Sequence, residues 1–597
     1  MSSVPERSEI PDPYKWDLGT VYADDAEWEA AYEAVEERLS DLEQYEGRAT
    51  EDGETLLAAL ECRDEVMRQL ATVVAYARMR SDEDTRDQTY QALQTRARAL
   101  SSEASSAASY LEPEIQSLSR ERLESMVEST DGLDRYDHYL DDVLRLAPHT
   151  RSAEVEALLS DLGEVISTAS EVFNLLTNAD MTFPTVERPD GEAVEITQSN
   201  FTRLLKAPDR AFRQDVYESF YEELAEVRNT LSTTLAKSVR ADVKLARVRD
   251  YETALEAAMD GPNVPVEVYD TVVGTVRDNV DVLHRHAGLK RQVLGVDELQ
   301  MWDLYMPVAD TESPDVEYEA ATEHVIDAVA PLGEDYRSRV EAGIDAGWID
   351  VYENRGKQSG AYSGGTYDTH PYILLNYQDD LTDVYTLAHE LGHSLHSELA
   401  SEDQPYVYAD YSIFVAEVAS MVNEALLTYH LLETVEDDDF RRHVLNEYVE
   451  RFRSTLYRQA MFAAFERDIH EISEAGEALT PDRLDDQYGE IKREFYEPAA
   501  FDDHIDREWM RIPHFYYGYY VYQYATGMSA AVAIATRILD EGEPAAADYL
   551  DALRLGSSAY PMEILETAGV DMTTSEPIES AVAAYDEALA DLADLVD

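Results

Sequence analysis

The stretch TLAHELGHSLHS occupies residues 386–397, and its reading decides how the rest of the chain is understood. It sets His389 and His393 four residues apart, with Glu390 directly after the first. On an α-helix, positions i and i+4 lie one above the other on a single face, so two imidazoles can reach one ion together. Glu390 is rotated about 100° from His389. Its carboxylate can therefore face a water near that ion without binding the ion itself. Gly392 carries no side chain within the same turn, which lets another backbone come close. With 14 histidines in 597 residues, an HExxH match is expected about 0.03 times per such chain by chance. The bland alternative is two histidines that are solvated or satisfied in a core. The surrounding sequence has to decide between them.

A hydrolytic zinc site takes three protein ligands and keeps a fourth position open. YSIFVAEVASMVNEALLTYHLL, residues 411–432, reads as an almost wholly apolar helix interrupted by Glu417 and Glu424. A carboxylate buried without a partner costs several kcal/mol or becomes neutral. These two are seven apart and share one helical face. Glu417 is the expected third ligand, for one Zn2+ per chain. Glu424 is expected to accept a hydrogen bond from a ligand histidine and so fix its tautomer. The competing reading for each is an acid that points to solvent.

Composition narrows the field. The formal charge is −76, from 124 acidic and 48 basic residues. Duplex nucleic acid and anionic membranes both demand positive surface, so neither is an expected partner. The acid is spread along the chain between apolar residues and does not gather in a tail. Lysine occurs at only seven positions, and the other basic residues are arginine. This pattern points to a folded, halophilic protein in which salt screens the self-repulsion. No apolar run approaches the roughly 20 residues of a membrane span. The N-terminus MSSVPERSEIPDPYKWDLG has neither the basic start nor the apolar stretch of a signal peptide. Cys62 is the one cysteine, which rules out an intrachain disulfide. Together these suggest the cytoplasm.

Most of the chain carries a helical period, seen over 26–45, 52–82, 86–128, 153–178, 198–248 and 263–295. MTFPTVERPDGEAVEIT, 181–197, has two alternating segments around Pro189-Asp190-Gly191 and predicts a β-hairpin. Glycines and β-favouring residues fill 348–377, and HPYILLNY, 370–377, predicts a strand just before the HExxH helix. After 410 the pattern is helical to the end. The expected fold is mainly α, with a small β-sheet beside the HExxH helix. The expected division is an N-terminal helical lobe over 1–196 ending in the hairpin, and a catalytic region over 197–597 with its core at about 350–530.

Three segments, taken with the HExxH and Glu417 pattern, carry a resemblance. PYKWDLGTVY (13–22), SGAYSGGTYDTHPYILLNYQDDLTDVYTLAHELGHSLHS (359–397) and RIPHFYYGYYVYQYATG (511–527) resemble the thimet oligopeptidase/oligoendopeptidase F family of zinc metallopeptidases. The oligoendopeptidase F branch is the nearer match, and the similarity covers nearly the whole chain. The family implies two helical lobes around a deep channel with zinc on its floor. It also implies hydrolysis of internal bonds in short, unfolded oligopeptides. Attack on an amide builds negative charge on the carbonyl oxygen, and donors aimed there speed the reaction. The family places a histidine and two tyrosines near the scissile bond. His514 matches the histidine. Tyr519 and Tyr522 are the matches for the tyrosine pair if the segment is helical from about 516, with Tyr516 and Tyr517 as alternatives, since the histidine-to-tyrosine spacing is shorter here than in the thimet branch. Gly364 and Gly365 would permit a peptide to approach the strand next to the zinc helix. A zinc carboxypeptidase on a related helical fold and a non-catalytic peptide-binding protein are the alternatives.

Overall fold

The computed structural model describes residues 4–309 and 313–596. The start of the stretch examined for a signal peptide, residues 1–3, lies outside the described residues. Two compact units emerge, each assembled from three separate segments. The first holds 1–147, 314–433 and 534–570, and the second holds 148–313, 434–533 and 571–597.

In the first unit, α1 (Asp25–Glu43), α2 (Gly53–Glu83) and α3 (Gln88–Ala108) pack on one another. Asp24, Asp52 and Asp87 cap their N-termini through side-chain oxygens that accept backbone N–H groups. The period expected over 86–128 is broken into three helices, because Ser109 and Ser117–Ser119 interrupt it and Ser119 starts a new cap. The core of this bundle includes Trp28, Val35, Leu70 and Val73, and it extends to Tyr372 and Leu374 of the central sheet.

That sheet has three strands in the order β3 (Ile349–Tyr352), β5 (Tyr372–Tyr377), β4 (Tyr362–Gly364). β5 is central, runs parallel to β3 and antiparallel to β4, and is buried along most of its length. The strand expected at 370–377 is β5. The PYKWDLG stretch props this sheet from below. Trp16 stands edge-on to Tyr372, and its indole N–H donates to Glu83. Arg7 donates to Asp350 Oδ2 at 2.6 Å and to Glu83 at 2.8 Å. Asp350 is buried in β3 and also pairs with Lys357 at 2.7 Å. Two cations thus compensate a carboxylate that burial alone would neutralise.

In the second unit, β1 (Thr185–Glu187) and β2 (Ala193–Glu195) form the expected antiparallel hairpin, with Gly191 at φ +86° in its turn. Long helices make up most of the remainder. The helical expectation fails over 505–521, where 3-10 turns replace the α-helix.

Candidate active site

The HExxH stretch lies on α4 (Leu381–Asp403), capped by Asp380. It packs on α5 (Ile413–Thr434), which carries both glutamates. The two helices touch at backbone level. A Cβ built on Gly392 would stand 2.6 Å from Ser420 Cα and 2.7 Å from Ala419 O, so only glycine fits. Asn423 clamps the same junction. Its amide donates to Ala388 O at 3.2 Å, and its oxygen accepts from Tyr336 OH at 3.1 Å.

This junction brings four predicted residues together. His389 Nε2 lies 3.4 Å and His393 Nε2 3.7 Å from Glu417 Oε2, and the two imidazole nitrogens are 3.2 Å apart. One donor atom from each of the three residues lies within 4.8 Å of the others. Two neutral nitrogens and one carboxylate at this spacing are a donor set suited to a tetrahedral zinc ion with one position open. His389 Nδ1 is 2.6 Å from Glu424 Oε1. A proton held there leaves Nε2 with its lone pair aimed at the cluster. Burial pulls the His393 pKa down to about 4, with His389 acting in the same sense, so His393 stands ready as a neutral ligand. The third histidine of the stretch, His396, is buried and stacked on Tyr411 at 3.6 Å, away from this cluster of donors.

Glu390 points out of the ligand set, as its rotation on the helix requires. It is 6% exposed. The Ser363 backbone amide on β4 faces its carboxylate and favours the charged form. Burial pushes the Glu390 carboxyl up to about 7, with His389 and the Ser363 amide opposing and the Glu417 charge adding to the rise. Ser363 and Ser394 join β4 to α4 a second time through hydroxyls 2.9 Å apart. β4 is an edge of the sheet. Gly364 ends it, and Gly365 follows at φ +130°, where a Cβ would sit 3.0 Å from His370 O. Both glycines line a cavity of about 860 Å³ together with Tyr367, Pro371, Ser397 and Tyr411.

His514 and the tyrosines belong to the second unit. His514 lies in a 3-10 turn, Pro513–Tyr516. The helix expected from 516 begins only at Tyr522, as α7 (Tyr522–Glu541), the next long helix after α6 (Arg458–Glu474) and a shorter one over 481–495. Gly518 and Tyr519 hold φ at +54° and +58°, which breaks any helix across them. Tyr519 and Tyr522 therefore do not share a helical face. Tyr519 is buried against His470 and Tyr269, and Tyr522 is buried against Tyr269. The Glu466 carboxylate accepts from Tyr519 N at 2.7 Å and holds the unusual backbone in place. Tyr516 donates to or accepts from Thr234 Oγ1 at 2.7 Å, and Tyr517 is exposed. The rings around His514 are those of Tyr517, Tyr520 and Tyr524, with Tyr524 OH 3.4 Å from Nε2. Tyr520 and Tyr524 were not singled out from the sequence, because the two positive-φ residues reset every spacing after 517.

A helix bearing HExxH, packed on a second helix that supplies a glutamate, is the framework of a metal-dependent hydrolase. The comparisons with known proteins give that class its family. The pattern of Peptidase family M3 matches residues 203–584, and that of Oligopeptidase F matches 114–183. Oligopeptidase PepF of Bacillus subtilis (strain 168) is 42% identical over 596 residues, covering 100% of this chain and 89% of PepF. A crystal structure of oligoendopeptidase-F from Enterococcus faecium is 36% identical, with a TM-score of 0.74 over 96% of this chain and 99% of that one. A peptidase structure from Chlamydophila abortus is 32% identical, with a TM-score of 0.92 over 99% and 100%. The chain belongs to Peptidase family M3, in its oligoendopeptidase F branch, and is a metalloendopeptidase. Among the described residues, no helix is long and apolar enough to cross a membrane.

Proposed function

We propose that the chain is a zinc-dependent endopeptidase that cuts internal bonds of short, unfolded oligopeptides. The observation that carries this reading is the convergence of His389, His393 and Glu417 next to a buried Glu390 that leans on the edge strand. His389 Nε2, His393 Nε2 and a Glu417 oxygen would hold the ion, and Glu424 would orient His389 through Nδ1. A zinc ion held there supplies a Lewis acid for the peptide carbonyl and for water. Glu390 takes a proton from the attacking water and passes it to the departing amine nitrogen, a role suited to a carboxyl whose pKa stands near neutrality. An extended peptide runs alongside the outer strand β4, past the Ser363 amide that faces Glu390, and takes main-chain hydrogen bonds from the Gly364–Gly365 stretch, which need no particular side chain. The absence of bulk at Gly364 and Gly365 leaves room for that approach.

A peptide of about ten residues, acetylated at one end and amidated at the other, tests the reading. Mass spectrometry should find internal cuts, and elemental analysis should find one zinc per chain. A carboxypeptidase would leave the blocked peptide whole and trim its free-ended counterpart. A binding protein would cut neither, and either result would overturn the endopeptidase assignment.

His514 is proposed to donate to the carbonyl oxygen as charge builds on it, with Tyr520 and Tyr524 joining Tyr522 as candidates for the tyrosine donors. His514→Ala should lower kcat by about 10²–10³-fold and change KM little. A loss confined to KM would make His514 a substrate contact instead.

A further inference from the structure

The second unit contains a buried excess of positive charge that its own carboxylates do not balance. Phe452–Tyr457 is a π-helical turn between two α-helices. Its wider winding brings residues five apart into proximity, and Arg453 and Arg458 both line one small cavity. Lys492, Tyr305 and Tyr496 complete the polar part of its wall. The cavity measures about 10 Å³, room for one sphere the size of a water molecule.

The charges facing this region come from several helices. Glu508 is fully buried and takes Arg458 Nη2 and Lys492 Nζ at 2.7 Å each and Tyr488 OH at 2.6 Å. Arg511 Nη1 stands 3.8 Å from the same carboxylate. Glu450 accepts from Arg453 Nε at 2.7 Å and pairs closely with Lys290. His286, with Nε2 3.4 Å from Glu450, and Tyr221, Tyr305, Tyr488, Tyr496 and Tyr585 are further titratable groups here, burial keeping His286 neutral, and Lys206 adds further charge of the same sign near Lys290. Five cations, Lys290, Arg453, Arg458, Lys492 and Arg511, thus face two carboxylates, Glu450 and Glu508. Arginine does not release its proton in proteins. An uncompensated buried charge costs several kcal/mol. The Nε groups of Arg458 and Arg511 are buried with no acceptor among the described residues.

We propose that the Arg453–Arg458–Lys492 cavity binds a small monatomic anion, a halide such as chloride, as a structural counter-ion. Carboxylates are plentiful in this chain, yet none fills the gap, so the compensating charge comes from solution. The small size of the cavity favours a single-atom anion over sulfate, phosphate and organic anions. Arg458 also faces His514, whose pKa burial lowers first and the Arg458 charge lowers further.

The test uses the full chain with zinc present, at one fixed ionic strength. Crystals grown or soaked in sodium bromide should show one anomalous peak among Arg453, Arg458 and Lys492. In solution, replacing gluconate stepwise by chloride should raise the melting midpoint in a saturable manner. Arg453→Gln, which removes one charge from the wall, should weaken the chloride half-saturation about tenfold or more. If that variant does not fold, the wild-type measurements alone decide. A bromide crystal with water or nothing in the cavity overturns the proposal. So does a melting midpoint that is the same in gluconate and chloride.

Discussion

Glu390→Gln protein is expected to bind its metal fully and hydrolyse almost nothing. The amide keeps the shape of the carboxylate, and its oxygen can still accept the Ser363 N–H, so α4 and β4 stay joined. What disappears is the ability to take a proton from water. General acid–base catalysis contributes about 10²–10⁴-fold, and kcat should fall by an amount in that range or beyond, since one group serves both proton transfers. Zinc content by elemental analysis should remain at the wild-type level. His389→Ala and Glu417→Ala should behave differently and lose the metal, because each removes one of three ligands. Substantial turnover by Glu390→Gln protein under saturating zinc would show that another group is the base.

Removal of salt is the second large effect expected. With 124 acidic and 48 basic residues, at least 76 carboxylates have no cation of their own. Many arginines are already committed, such as Arg96 to Glu29 and Arg277 to Glu494. At 1 M salt the Debye length is about 3 Å, and at 0.01 M it is about 30 Å. Neighbouring repulsions that molar salt hides then act across whole faces. Dialysis to about 0.01 M, with zinc present throughout, should abolish the helical circular dichroism signal and peptidase activity together. If both survive unchanged, the acidity is not an adaptation to salt, while the peptidase reading remains as it was.

The cluster of His389, His393 and Glu417 was legible in the sequence because each part carries a local signal. HExxH follows the helical period, and Glu417 and Glu424 stand out as charges within an apolar helix. Asn423 sits beside Glu424 in that helix and was passed over, since an amide next to a carboxylate gives no sign of which neighbour it will clamp. Ser363 was equally silent. Its contribution is a backbone amide, which every residue possesses. The His514 region misled for a different reason. Its tyrosines were placed by assuming one continuous helix, and Gly518 and Tyr519 break that helix with left-handed backbone. Glycine hints at such a break, but a tyrosine at φ +58° does not. The make-up of the two compact units was also hidden. The chain passes from one to the other through ordinary sequence, for example within the run of residues at 433–434, with no linker composition to mark the point.

The approach of the Ser363 amide to Glu390 gives strand alignment a chemical meaning. β4 has three residues, and its pairing sets Ser363 opposite Ile373. In that alignment the Ser363 amide faces away from β5 and meets the carboxylate. A shift by one residue would turn this amide into the sheet and send the side chains of β4 to the opposite face. The Glu390 carboxylate would then lose the amide that opposes the rise in its pKa. Substitutions in β5 that alter the alignment would then reach the Glu390 carboxylate, although they change none of His389, Glu390, His393 and Glu417.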